Sequence, residues 1–191
     1  WDTQIPALTA HFRVLRYDTR GHGASLVTPG PYAIGQLGAD VLALLDALDL
    51  PRVHFCGLSM GGLIGQWLGI HAGARLDRLV VCATAARIGT PEGWNARIAE
   101  VRADGLAGLV PATAERWFTP AFRAARPDAV RAILDGFTAT PADGYAGCCA
   151  ALAGADLHGA GAFDLIWSLD HADLSAQRRE NRRPPQTRPP T

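Results

Sequence analysis

From Ile34 to Leu48 the apolar positions Ile34, Leu37, Val41, Leu44, Leu45 and Leu48 recur at helical spacing, and Pro51 closes the stretch. The pattern predicts an amphipathic helix laid on a sheet. Upstream, Phe12 to Tyr17 alternates at roughly period two and runs into the turn-rich Asp18-Thr19-Arg20-Gly21-His22-Gly23, as the carboxyl end of a buried strand does. Downstream, Arg52 to Cys56 predicts a short strand and Leu63 to Ile70 an apolar helix. Leu79 to Cys82, bounded by turn signals, predicts a fully buried parallel strand. Strands alternating with helices predict an α/β fold with a mostly parallel sheet.

Between Thr90 and Leu152 the strand-like runs stop and helix starts take over: Pro91-Glu92, Pro127-Asp128 followed by Val130, Ile133 and Leu134, and Thr140-Pro141-Ala142-Asp143 before Tyr145. Three segments are expected: a core over 1–88, a helical cap over 89–153, and a divergent tail over 154–191. The end of the tail, Arg178 to Thr191, holds five Arg, four Pro and no hydrophobic residue, a composition that builds no core and predicts disorder. No internal repeat of solenoid length is visible.

Composition narrows the class. The 191 residues are 48% hydrophobic, and 18 basic residues balance 18 acidic ones, so no net field attracts nucleic acid or an anionic membrane. No run approaches the ~18 apolar residues of a membrane span, and the first residues lack a basic start followed by an apolar run, which predicts a cytoplasmic protein. Every basic residue is Arg, and the single Met is Met60, so residue 1 is not expected to be a translation start. Cys56, Cys82, Cys148 and Cys149 lie in apolar contexts without metal-site spacing, and are read as small buried hydrophobes. No metal and no cofactor is expected.

The candidate chemistry sits at Gly57-Leu58-Ser59-Met60-Gly61, a G-x-S-x-G string placed where a predicted strand turns into a predicted helix. A serine at such an elbow has strained backbone angles. Glycines at 57 and 61 would relieve collisions with the neighbouring elements, and the helix N-terminus would face a developing oxyanion. Ser59 is therefore the expected nucleophile, with the Met60 backbone N–H as one oxyanion donor. The alternatives are a plain Gly-Ser turn and a phosphate-cradling loop. The chain has no Lys and no G-x-G-x-x-G, which removes the second. A serine needs a histidine base and an orienting carboxylate, which follow it in chain order in this arrangement. His22 is read as a pocket wall, and His11, His54 and His71 as packing or surface residues. His158 and His171 remain downstream.

Asp18-Thr19-Arg20-Gly21-His22-Gly23-x-Ser25 followed by Gly57-Leu58-Ser59-Met60-Gly61-Gly62 resembles the α/β-hydrolase superfamily. More narrowly, residues 50–59, 83–89, 115–120 and 144–152 resemble bacterial 3-oxoadipate enol-lactonases, and the likeness covers about residues 1–157. The resemblance implies hydrolysis of an enol-lactone to 3-oxoadipate in protocatechuate catabolism, without a cofactor, through an acyl-enzyme on Ser59. Because that substrate is an anion, Arg87, Arg97 and Arg116 are candidates for a carboxylate clamp, and Trp94 and Trp117 for pocket walls. A broad carboxylesterase of the same superfamily and a non-catalytic remnant are the alternatives.

The chain departs from the family at both ends. Strands that precede residue 1 in the family, with the loop giving the second oxyanion donor, are absent, so an incomplete sheet with unpaired edges and an exposed apolar face is expected. After Leu157 the family's Asp and His motifs are not matched, and the triad acid and base are expected to be missing. Leu169-Asp170-His171-Ala172-Asp173 only faintly resembles the family's histidine region, which makes His171 a weak candidate.

Overall fold

Two strands, one helix between them and a row of further helices make up residues 1–159, which are the residues described by the structure, a computed structural model. The elements are α1 (Ile5–Thr9), α2 (Ile34–Ala47), β1 (Val53–Leu58), α3 (Met60–Ala72), β2 (Leu76–Cys82), α4 (Pro91–Asp104), α5 (Val110–Trp117), α6 (Pro120–Ala125), α7 (Pro127–Thr138) and α8 (Ala142–Gly154). They divide into two compact units, Leu42–Ile88 with the chain from Ala155, and Trp1–Val41 with Gly89–Gly154.

In the first unit β1 and β2 pair in parallel, from Val53 opposite Leu76 to Leu58 opposite Cys82, with α3 as the crossover. The class is α/β, and among the described residues the sheet has these two strands. Alternation along β1 turns Val53, Phe55 and Gly57 inward and His54, Cys56 and Leu58 outward. Helix α3 packs on the inner face, and its Leu63, Ile64 and Leu68 are fully buried, each contributing roughly 1.5–3 kcal/mol by burial. Gly65 permits the close fit, since a Cβ there would lie 2.8 Å from Leu79 Cδ1 and 3.0 Å from Phe55 Cδ1. Arg75 ties the end of α2 to the sheet, donating to the Pro51 and Leu50 carbonyls at 2.8 and 3.0 Å and pairing with Asp46 at 2.8 Å.

The second unit is helical. Ile34, Leu37 and Val41 form the buried stripe of α2, as their spacing predicts. The loop before α2 is stitched to α8 by glycine contacts and by the Tyr32 N–H, which donates to the Gly147 carbonyl at 3.3 Å. The forked Arg20–Asp40 pair fixes the same loop to α2. Helices α4, α5, α7 and α8 surround a core of Val101, Leu106, Leu109 and Phe137. Predicted starts at Pro91, Pro127 and Ala142 are helix starts, and Thr90 caps α4 by accepting from the Gly93 N–H at 3.1 Å. A proline in the first two positions likewise begins α5 and α6, which the sequence pattern left unassigned.

Three expectations need correction. Residues 12–17 are not a buried strand: they carry no strand pairing, and Phe12, Leu15 and Tyr17 are exposed. Alternation becomes a strand only when a neighbour completes the ladder, and no described strand lies beside them. Nor is β2 fully buried: α3 covers one face, and on the other Val80 of β2 and the neighbouring Leu58 of β1 stay 51% and 54% exposed, an uncovered apolar face among the described residues. Of the four cysteines expected to be buried, Cys56 points to that outer face and is exposed and Cys82 is half-buried, whereas Cys148 and Cys149 are buried.

Burial pushes the Cys148 thiol up to about 12 and Cys149 to about 11. Both stay neutral while the unfolded chain ionises from about 9, so they stabilise the fold below that pH and the contribution is lost as pH rises toward 11–12. Urea midpoints should therefore fall above pH 9, and less steeply in a Cys148→Ala/Cys149→Ala variant. Peptide mapping after native alkylation should find Cys56 modified well before Cys148 and Cys149.

Candidate active site

Ser59 stands between the last residue of β1 and the first of α3 with φ 53° and ψ −116°, a region that costs a non-glycine residue about 1–3 kcal/mol. Two hydrogen bonds hold it there. Its N–H donates to the Cys82 carbonyl at 2.8 Å, and its own carbonyl accepts from the Leu63 N–H at 3.0 Å. Serine is a favoured helix cap, yet this hydroxyl makes no capping bond and the residue is exposed. The strained turn thus presents an unspent hydroxyl beside the first N–H groups of α3, Met60 among them, which have no acceptor within the helix.

The glycines around the turn are not equivalent. A Cβ at Gly57 would lie 2.1 Å from the Gly61 carbonyl oxygen, and one at Gly62 would lie 2.7 Å from Thr84 Cγ2. At Gly61 a Cβ meets nothing within 4 Å, which corrects the expected collision at that position. The helix turns its backbone, not a side chain, toward β1, so the constraint falls on Gly57 and on Gly62.

The segment after β2 closes the turn from behind, and pattern reading missed it. Ala83 has φ 46°, Thr84 packs on Gly62, and the Ala85 carbonyl accepts from Nε2 of the buried Gln66 at 3.3 Å. A lone polar residue in the apolar α3 run, Gln66, was the signal available. Arg87 belongs to this segment and is already engaged, 3.3 Å from Asp156. The His158 N–H, then its ring, then Arg87 hold the Asp156 carboxyl below the usual carboxylate range, with the His158 Nδ1 at 2.7 Å.

In the helical unit the remaining candidates separate. Arg97 on α4 and Arg116 on α5 both act on Tyr145 and Cys149 of α8: burial raises both groups' pKa, and the two guanidiniums oppose that rise. Trp117 meets Phe137 edge-on at 5.6 Å, and Phe137 meets Tyr145 likewise at 5.6 Å. The Trp94 indole lies over Gly89, whose φ is 69°. His22 packs by Cys148, with Nδ1 3.9 Å from the sulfur. His71 stacks on Trp67 at 4.6 Å. His171 lies outside the described residues, as do Asp164, Asp170, Asp173 and the Arg- and Pro-rich end. Among the described residues no cluster of metal-ligating side chains occurs and no helix is long and apolar enough to cross a membrane.

The family model for the alpha/beta hydrolase fold matches residues 1–191. The chain belongs to that family. It is 48% identical over 157 residues to 3-oxoadipate enol-lactonase 2 of Acinetobacter baylyi and 46% identical to enol-lactonase 1 of the same organism, covering 82% of this chain and 59% of each relative. Among solved structures, the enol-lactonase from Burkholderia xenovorans LB400 is similar at TM-score 0.81 and 48% identity, over 82% of this chain and 60% of that one. A thermophilic esterase from Thermogutta terrifontis is similar at TM-score 0.77 and 29% identity, over 82% and 59%. The hydrolase-fold chain therefore spans about three-fifths of the length of these relatives.

Gly57→Ala should lower the urea midpoint by the equivalent of about 1–3 kcal/mol, because the added methyl meets backbone that cannot move alone. Gly61→Ala, which adds a methyl to open space in a helix, should be neutral or stabilising by up to about 1 kcal/mol.

Proposed function

We propose that this hydrolase-fold chain carries the nucleophile of a cytoplasmic serine hydrolase that opens 3-oxoadipate enol-lactone in aromatic catabolism. The observation that carries the reading is the uncapped, exposed Ser59 held at φ 53° between β1 and α3. Sequence likeness to the Acinetobacter baylyi enol-lactonases supports the substrate. Residues 89–153 would serve as a helical cap.

In this mechanism the Ser59 Oγ gives up its proton to a general base and attacks the lactone carbonyl. The Met60 N–H stabilises the tetrahedral oxyanion. Collapse breaks the ring C–O bond and expels an enolate, which takes up a proton and becomes the ketone. Water then attacks the acyl-enzyme, releasing 3-oxoadipate and returning the proton to Ser59. The reading assigns the nucleophile and one oxyanion donor, and it assigns the base and acid to no described residue.

A broad esterase is the second reading, favoured by the likeness to the Thermogutta terrifontis enzyme. Loss of enol-lactone absorbance measures the first reaction and release of p-nitrophenol from a neutral ester the second. In a longer chain that supplies the base and acid, lactone turnover should exceed ester turnover and fall by at least ~10³-fold in Ser59→Ala. Unchanged turnover in that variant removes Ser59 from the mechanism. Preference for the neutral ester supports the esterase, and a protein inactive on both substrates is a non-catalytic remnant.

A further inference from the structure

The turn that presents Ser59 carries more than one local cost. Ser59 sits at φ 53°, and Ala83, the exposed residue just past β2, sits at φ 46°. The Thr84 hydroxyl is buried and, among the described residues, has no hydrogen-bond partner. A free chain would relax all three, because the left-handed region is disfavoured for residues with a Cβ and a buried hydroxyl gains by turning to water. Such residues persist only where their neighbours fix the backbone from several sides.

Three contacts along α3 supply that fixing. The Ser59 N–H donates to the Cys82 carbonyl at 2.8 Å, a Cβ on Gly62 would lie 2.7 Å from Thr84 Cγ2, and Gln66 Nε2 donates to the Ala85 carbonyl at 3.3 Å. Gly62 and Gln66 are one turn apart on the same face of the helix, so residues 82–85 run along that face and Ala83 arches between anchored neighbours. The first contact belongs to the residue being held. The second is steric, and it limits how close Thr84 comes without stopping it from leaving. Of the three, the Gln66 bond alone pulls the segment in from outside the turn.

The burial of Gln66 makes that bond informative. The residue is 2% exposed in a helix whose Leu63, Ile64 and Leu68 are fully buried. An amide there gives up its water, a loss that an apolar side chain of similar length avoids. What the amide adds is direction, since only its N–H end can face a carbonyl.

We infer that Gln66 is a positioning residue for Ser59: by holding the Ala85 carbonyl it keeps residues 82–85 against α3, and through the Cys82 carbonyl it keeps the serine in its strained conformation. That Ser59 is a nucleophile rests on the function proposed above. The hold on its backbone does not.

The test reads the turn itself, by amide hydrogen exchange in the full chain without substrate. The reference is the Leu68 N–H, whose place within α3 reports opening of the whole unit. In Gln66→Met, which keeps the length and removes the donor, the Ser59 N–H should exchange about 3- to 10-fold faster relative to Leu68, and the Ala83 carbon shifts should leave the left-handed range. In Gln66→Glu a protonated carboxyl can donate to Ala85 and a carboxylate cannot. The relative Ser59 rate, divided by that of the unaltered protein at the same pH, should be near one in acid and rise at least to the Met value as the carboxyl ionises, above the ordinary ~4.3 because the site is buried. Phe55, Gly57, Leu79 and Thr84, which lie against α3, do not titrate, so the step belongs to the introduced group. A side chain that only filled space would give no such step. Equal relative exchange of Ser59 in Gln66→Met and the unaltered protein, or a Glu variant whose ratio is flat with pH, overturns the assignment. Absence of lactone and ester turnover sinks the hydrolase reading and leaves the exchange result standing.

Discussion

The approach of the Gly61 carbonyl to Gly57 governs the first unit. Helix α3 can begin one residue after Ser59 only because its first turn lies against bare backbone at position 57. That proximity leaves Ser59 no room for a relaxed conformation. The hydrogen bond from the Ser59 N–H to the Cys82 carbonyl then locks the residue by extending the β1–β2 ladder one step past the strand. Strain at the serine is thus maintained by pairing and packing that lie on both sides of it, the condition under which a strained residue persists.

The same unit shows how a sheet face and a helix share the work. Inward positions of β1 meet α3 through Gly65, and Leu63, Ile64 and Leu68 of the same helix are fully buried, so the scaffold behind the serine is closely packed. On the opposite face Leu58 and Val80 remain half exposed. Side chains of the turn are therefore supported from the helix side, with Thr84 and Gln66 adding contacts from the segment that follows β2.

Much of this was legible in the residues. Helical spacing from Ile34 to Leu48 located α2 to within a residue, and the Pro-led starts at Pro91, Pro127 and Ala142 located three helices, because both signals are local. The Gly57-x-Ser59-x-Gly61 string located the turn for the same reason. Residues 12–17 misled because alternation states a preference that only a neighbouring strand can satisfy. The role of Gly62 in place of Gly61 was hidden, since it depends on Thr84, a residue 22 positions later whose methyl arrives by way of β2. Among the candidate arginines, spacing gave no ranking. A partner singles out one of them: Asp156 occupies Arg87.

Gly21 and Gly144 illustrate a different kind of dependence. A Cβ on Gly144 would lie 2.0 Å from the Gly21 carbonyl oxygen, and one on Gly21 would lie 2.5 Å from the Gly144 Cα. When two large side chains clash, one can shrink to make room for the other. Here both residues are already at the smallest size available, so neither can compensate for growth in its neighbour. The pair has nothing left to trim, and any drift in sequence at this crossing requires the whole of α8 to move away from the loop it clasps.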